Sequence, residues 1–523
     1  MQLMLSIVLV LLSYVCSTAF AAEHYVISGG SGNGSSWDSA MDDLPSTLIR
    51  GDTYFIGDGV YSDYTFNTSE SGTDTITIIK ATEGNHGTDV GWDSSYGDGQ
   101  AIFTMDSPAV GGRVWLFTTG YYIINGQTGT DDNGESYGFK LYNTAELNDI
   151  QLIRFDSLPS HIEISYVNLQ GLGADDDYGC LAQHLLHPGG SNHTFSHLFA
   201  HDSNACLVRF TNMSDSIFEH CYFSRNHSVD ACHSEGFQFY GMTFDISNIS
   251  KGNPTMITTD TAHGMSSGTI VTILTVSGMT EINGVTKEAT VLSPTEFTIS
   301  VDSTGYSNYT SGGKVTYSKN ANIIVRDNVF WDIEGTGFIV LSGSGHEIYN
   351  NFFGYSESFD DNVGNGVVCA GTNNRTSNIV IANNTFTAIK TVNTKSGIGL
   401  NVGGVFTTNG NVAWNNLWYD CISVAISGIN TQDYNGFISS TGTFNVNSHD
   451  IVDDVNPFSV SYQLNPDTAI SLIDAGADLS AYFTTDITGY TRPYGAAWDI
   501  GAYEWRPIHG KSTATMQCNF GSQ

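Results

Sequence analysis

Basic residues are scarce in this chain: 18 Lys and Arg stand against 53 Asp and Glu in 523 residues, a formal charge of −35. Nucleic acid is therefore excluded as an expected partner, because neutralising phosphates requires a basic footprint. Cysteine is also sparse, with eight in all and no C-x-x-C pair. That argues against a small disulfide framework and a common zinc site, and leaves buried apolar thiols as the default. Beyond residue 22 no run reaches the ~18 apolar residues of a membrane-spanning helix. Amphipathic helical periodicity is missing too, so β-structure must carry the fold.

What is present begins with an apolar leader. MQLMLSIVLVLLSYVCSTAFAA (1–22) ends in small residues and predicts a secretory signal peptide, hence an extracellular or periplasmic mature chain. A short motif then recurs as SHLF (196–199), EHCYF (219–223), RDNVF (326–330), YNNFF (349–353), ANNTF (382–386) and WNNLW (414–418). Each copy is followed, after a variable loop, by a short strand such as CLVRF (206–210), GFQFYG (236–241) or GIGLNVG (397–403). Phe199 to Phe223 spans 24 residues and Asn328 to Asn351 spans 23, with later intervals of 33 and 32. A period of this length built from short β-runs is the mark of a solenoid. Coils stacked at the ~4.8 Å strand spacing bury one another's apolar faces. Asn at their corners tolerates left-handed backbone, and its amides can bond along the stack. The predicted fold is an all-β, right-handed parallel β-helix.

Both flanks agree. YVISGGSGNGSSWDSAMDDLP (25–45), RGDTYFIGDGVY (50–61) and ITIIKAT (76–82) resemble the opening of secreted pectate-lyase-like right-handed β-helix proteins. SLIDAGADL (471–479) and DITGYTRPYGAAWDIGAYEW (486–505) resemble the cap that ends many members of that superfamily. The resemblance implies the fold and an extracellular carbohydrate-directed role, and says little about substrate, since such folds host lyases, hydrolases and adhesins alike.

One segment breaks the rhythm. Alternating Thr, Val and Ile runs between Gly turns over 256–317 predict a small antiparallel barrel. AHGMSSGTIVTI, GMTEINGV, EFTI and YTSGG resemble the barrel module of ubiquitin-activating enzymes that is also inserted into phage and bacterial surface proteins. His263 lies in a turn signature of this module and reads as structural. The expected organisation is a signal peptide (1–22), two β-helix parts (23–248 and 319–460) flanking the barrel (249–318), and a C-terminal cap and tail (461–523).

The densest chemistry lies in RNHSVDACHSEGFQFYG (225–241). If Cys206 and Phe237 hold the same inward position in successive coils, Val208 and Phe239 form the next inward rung, and Arg209 stands beside Tyr240 outside. The pectate-lyase-like resemblance puts chemistry on such an outward row. β-Elimination of a uronic acid glycoside needs a cation for the carboxylate, a base near the C5 proton and an acid for the leaving oxygen. Arg209 or Arg225 would hold the carboxylate, His233 or Tyr240 would move protons, and Glu235 would orient His233, with His227 and Asp230 completing the cluster. HSEGFQFY resembles the acidic approach to the strand in calcium-type polysaccharide lyases, with Tyr240 where those enzymes carry a lysine. The Gly-His-Gly and Arg-x-Lys elements of polygalacturonases are absent. The acidic loop ADDDYG (174–179) supplies Asp175, Asp176 and Asp177 as candidate hard-oxygen ligands for Ca²⁺. A polysaccharide is the expected partner and lyase activity the leading reading. A glycoside hydrolase using Asp230 and Glu235, and a non-catalytic glycan-binding or adhesive protein, are the alternatives.

Overall fold

Short β-runs separated by Asn, Gly and Asp turns stack into a parallel solenoid that has, among the described residues, an eleven-stranded sheet on one side and a 25-stranded sheet wrapped around the rest. The computed structural model describes residues 21–129, 134–143, 145–173, 183–226, 235–333, 337–356, 368–370, 376–389, 398–401, 410–422, 424–459 and 462–507. The larger sheet bends into two faces. Ile162–Gln170 pairs with Tyr122–Asn125 over its first half and with Phe139–Tyr142 over its second, and the bend falls at Tyr166, whose φ is 55°. Successive parallel strands are joined through these crossovers, and the solenoid is right-handed, as parallel crossovers almost always are. Among the described residues no helix is long and apolar enough to cross a membrane.

The recurring motif builds both the bend and the core. Its first member takes left-handed backbone, with φ of 57° at Asp327, 54° at Asn350, 49° at Asn383 and 57° at Asn415. Asn and Asp accept that region at lower cost than other side chains. Its second member turns inward to form a ladder. Asn328, Asn351, Asn384 and Asn416 each donate Nδ2–H to the next amide oxygen, at 3.0 to 3.2 Å, ending at Asn435. Cys221 occupies the same ladder position one coil earlier, where its amide donates to Asn328 Oδ1. The aromatic member stacks inside. Phe223, Phe330, Phe353, Phe386, Trp418 and Phe437 follow one another at centroid separations of 4.9 to 5.1 Å, one ring per strand spacing. The first copy differs: Ala200, not Phe199, pairs with Phe223, and Phe199 turns outward to stack on His201.

One boundary differs from the sequence expectation. The barrel is closed and antiparallel, and its first strand is Met242–Ser250, so it departs from the solenoid immediately after Tyr240 rather than at 249. That strand's alternating MTFDISNIS reads equally well as a solenoid strand, which hides the junction. His263 is buried in the barrel, where its Nδ1 accepts from the Met265 amide at 3.1 Å and its ring meets Phe297 edge-on. The C-terminal segment runs back along the outside of the Asn corner instead of only closing the end. Asn350, Asn383 and Asn415, the outward members of their pairs, donate to the carbonyls of Thr485, Asp499 and Ala477.

Candidate functional site

The eleven-stranded sheet presents a row of cationic and imidazole side chains to the outside. Leu116 pairs with Arg154, Arg154 with His187, and the Leu186–Val208 pairing sets His187 beside Arg209, which in turn pairs with Gln238. The inward neighbours of this row, Ile153, Leu186, Val208, Phe210 and Phe237, are buried in the core. Alternation therefore forces Arg154, His187 and Arg209 outward. Arg113, one coil earlier and aligned with Gln151, has the opposite parity in its strand, but its charge reaches His187. Two of the chain's nine arginines, Arg154 and Arg209, thus lie on one face of a protein with a formal charge of −35, and Arg113 is near enough to weigh on His187.

The contacts within the row are specific. Arg154 donates Nε–H to Asp156 Oδ1 at 2.7 Å and brings Nη1 to 3.0 Å from His187 Nε2. His187 Nε2 is also 2.8 Å from Thr211 Oγ1. Arg209 donates from Nη1 to His184 Nε2 at 3.1 Å. A guanidinium only donates, so each imidazole accepts its bond through the one ring nitrogen that carries no proton. Burial first, and then the charge of Arg154 with help from His184, Arg209 and Arg113, push His187 down to about 2. The arrangement can hold an anion between guanidiniums, with a neutral imidazole and a threonine hydroxyl beside it.

Arg209 is thus outward, as expected, but its neighbours are not those the repeat alignment predicted. Val208 pairs with Phe237 rather than Phe239, so Gln238 flanks Arg209 and Tyr240 flanks Thr211. Apolar residues at 208, 210, 237 and 239 satisfy the period-two pattern equally well after a shift of two, which keeps every side chain on its face while changing its partner. Glu235 enters the same strand but is buried, 1% exposed, and accepts from the Cys206 thiol at 3.2 Å. Burial and the adjacent Glu235 push that thiol well above its ordinary range. Glu235 is therefore a packed carboxyl at the end of the strand, a different place from the outer row in which it was expected to act.

Arg225 is on another face altogether. It lies in Tyr222–Asn226 of the larger sheet and donates to Asp202, at 2.5 and 3.2 Å, and to His201 at 2.7 Å, above the Phe199 ring. Burial would raise the Asp202 carboxyl, but His201 and Arg225 outweigh it and hold that carboxyl well below its usual range. Those bonds tie down the guanidinium, so the structure does not bring Arg225 together with Arg209.

His227, Asp230 and His233 lie outside the described residues, as do Asp175, Asp176 and Asp177; of Tyr240 the backbone alone is described. Among the described residues no group of three or more His, Cys, Asp or Glu side chains is arranged to hold a metal ion. Arg154 is the residue of the row that motif reading missed. The signal was present: QLIRF (151–155) repeats CLVRF (206–210) with arginine at the same place.

Comparison with known proteins reaches the fold and one module. A search of curated proteins finds no match to the chain. Among solved structures it is similar to an alginate lyase from Paenibacillus sp. str. FPU-7, at 11% identity over 76% of this chain and 93% of that one, with a TM-score of 0.32. XylC in complex with xylose shares 9% identity over 92% of this chain and 98% of that one, with a TM-score of 0.42. A capsular polysaccharide depolymerase tailspike of Acinetobacter baumannii bacteriophage Fri1 shares 10% identity over 79% and 57%, with a TM-score of 0.32. At these scores the likenesses carry no argument about activity. Residues 252–319, which carry five of the barrel's six strands, match the ubiquitin-activating enzyme E1 FCCH domain.

Proposed function

We propose that this protein is an exported polysaccharide lyase that cleaves an acidic polysaccharide on the outer face of the eleven-stranded sheet. The observation that carries the reading is the pairing of Arg154 with His187 and of Arg209 with His184 on that face, with the charge of Arg113 close by. A polyuronate is repelled by a strongly acidic surface, so a lyase of this charge needs a locally positive groove.

In this reading Arg154 and Arg209 bind the uronate carboxylate and disperse the charge that builds up when the C5 proton leaves. That proton passes to a neutral base, the C4–oxygen bond breaks as the C4–C5 double bond forms, and the departing oxygen takes up a proton from an acid. His187 is the candidate base. The carboxylate that pairs with Arg154 and Arg209 also cancels part of the charge that depresses the imidazole, so substrate strengthens the base. Tyr240, paired through its backbone with Thr211, and His233 are the candidate proton donors. The alternative hydrolase needs Asp230 and Glu235 as an open carboxylate pair, and the buried position of Glu235 beside Cys206 disfavours it.

The test is absorbance at the unsaturated-uronate band with pectate, alginate and glycosaminoglycans, with and without EDTA. Product on one of these polymers, lost in Arg209→Gln and Arg154→Gln, supports the reading; EDTA sensitivity would support Asp175, Asp176 and Asp177 as Ca²⁺ ligands. No unsaturated product on the whole panel refutes lyase activity.

A further inference from the structure

A cleft of about 560 Å³ separates the inserted barrel from the solenoid turns, within the ~300–1,000 Å³ of ordinary ligand sites. Its two walls are hydroxyl-rich, each for a structural reason. On the barrel, Thr243 pairs with Thr316, Thr316 with Thr272, and Thr272 bonds Thr286 at 2.7 Å, so four strands align a row of threonines, of which Thr243, Thr286 and Thr316 line the cleft while Thr272 is buried. On the solenoid, Ser344 stacks on Ser377 and Gly343 on Thr376, so successive turns repeat small polar groups at the strand spacing. Gly343 has φ of 111°, and a side chain there would strike the Asn320 carbonyl, so that turn admits glycine alone.

Two observations point to a ligand. Thr316 is 5% exposed and lines the cleft, yet its Oγ1 has no hydrogen-bond partner, although buried hydroxyls are ordinarily satisfied. Lys319, also lining the cleft, makes no ion pair or hydrogen bond from its ammonium among the described residues. An unpaired cation is notable in a chain with 53 acidic residues. Rows of hydroxyls that both donate and accept match the hydroxyls of a sugar, and Lys319 adds a site for a carboxylate or sulfate.

We propose that this cleft is a second binding site, for a strand of anionic polysaccharide, distinct from the cationic row on the eleven-stranded sheet. The choice of an acidic glycan rests on the lyase reading above; the existence of the site does not. Gly241, at the edge of the cleft, directly follows Tyr240, so a polymer crossing the sheet at that strand meets the barrel next. The barrel then holds the chain while the row acts on it.

The full-length protein is titrated calorimetrically with tetragalacturonate, a chondroitin sulfate tetrasaccharide and cellotetraose, in an Arg154→Gln/Arg209→Gln background that disables the row. The acidic oligomers should still bind there, and adding Lys319→Met should weaken them about tenfold or more. Thr316→Val, which removes only an unpartnered hydroxyl, should leave the melting temperature at or above that of the parent while weakening binding severalfold. Binding retained in both variants, cellotetraose binding as tightly as the acidic oligomers, or no binding of any of the three, overturns the proposal. Binding intact in the cleft, with no unsaturated product from the wild-type protein on any of the polymers, refutes the lyase reading alone.

Discussion

Replacing Arg154 with glutamine should raise the pKa of His187 by about one to three units without restoring its ordinary value. The guanidinium Nη1 lies 3.0 Å from His187 Nε2. Two unit charges about 4 Å apart interact by roughly 4 kcal/mol at an effective dielectric near 20, which at ~1.36 kcal/mol per unit is about three pKa units. The 2.7 Å pairing of Arg154 with Asp156 offsets part of that charge, so about one unit is the lower bound and three the upper. Burial is the larger cause of the shift to about 2 and survives the substitution, so the imidazole should remain below 6.5. Histidine Cε1 labelling with a carbon-detected pH titration reads this directly. In the wild type, saturating digalacturonate should raise the same resonance's pKa, because the bound carboxylate favours the charged ring. An unmoved His187 in the variant would falsify the adjacency on which the site is built. A value at 6.5 would show that burial contributes nothing.

Three further outcomes follow from the fold. Asn384 accepts from the Asn351 amide at 3.0 Å and donates to the Ile348 carbonyl at 2.8 Å, so Asn384→Ala orphans two buried backbone groups. At ~1–3 kcal/mol each, urea unfolding should show a loss of about 2–6 kcal/mol, and a loss below 1 would mean the ladder is ornamental. His193 and His346 are buried, and burial holds each at about 4. Each contributes stability that is complete above 6.5 and lost as pH falls from 6.5 to 4, about 3 kcal/mol apiece. His346→Asn should flatten that slope in urea midpoints taken across the window, and an unchanged slope would exclude His346 as its source. Asp327, under the C-terminal segment, is pushed up to about 7 by burial, against Arg326 and Asn350. Its raised value means stability present below 3.8 and lost as pH climbs through 7, so proteolysis of 462–507 should be faster at pH 8 than at pH 5. Asp327→Asn should abolish that difference, and a variant as pH-sensitive as the wild type would point to other groups.

The solenoid was legible because its corners and core repeat as letters. The second Asn of each pair, at 351, 384 and 416, becomes the amide ladder, and Phe330, Phe353, Phe386 and Trp418 become the inner stack. The fate of the first Asn was not legible, since its partners are carbonyls of a segment more than 60 residues away in the chain, as for Asn415 and Ala477. Nor was the true start of the barrel, whose first strand alternates like any solenoid strand.

The site divides along a sharper line. Alternation tells which way a side chain points, and every slip by an even number of residues preserves that direction. Arg209 could therefore be placed on the outside from CLVRF alone, and it is there. Its neighbour could not, because the offset between coils is set by loop length, and the residues leading into Phe237 shift the pairing by two. Tyr240 lost its expected contact for this reason, while His187 and Arg154 gained theirs. Charge supplies the missing constraint. In a chain this acidic, arginines that recur at matching places in QLIRF and CLVRF share a face, and a shared positive face attracts anions. Parity and charge scarcity together identify the row; neither identifies it alone.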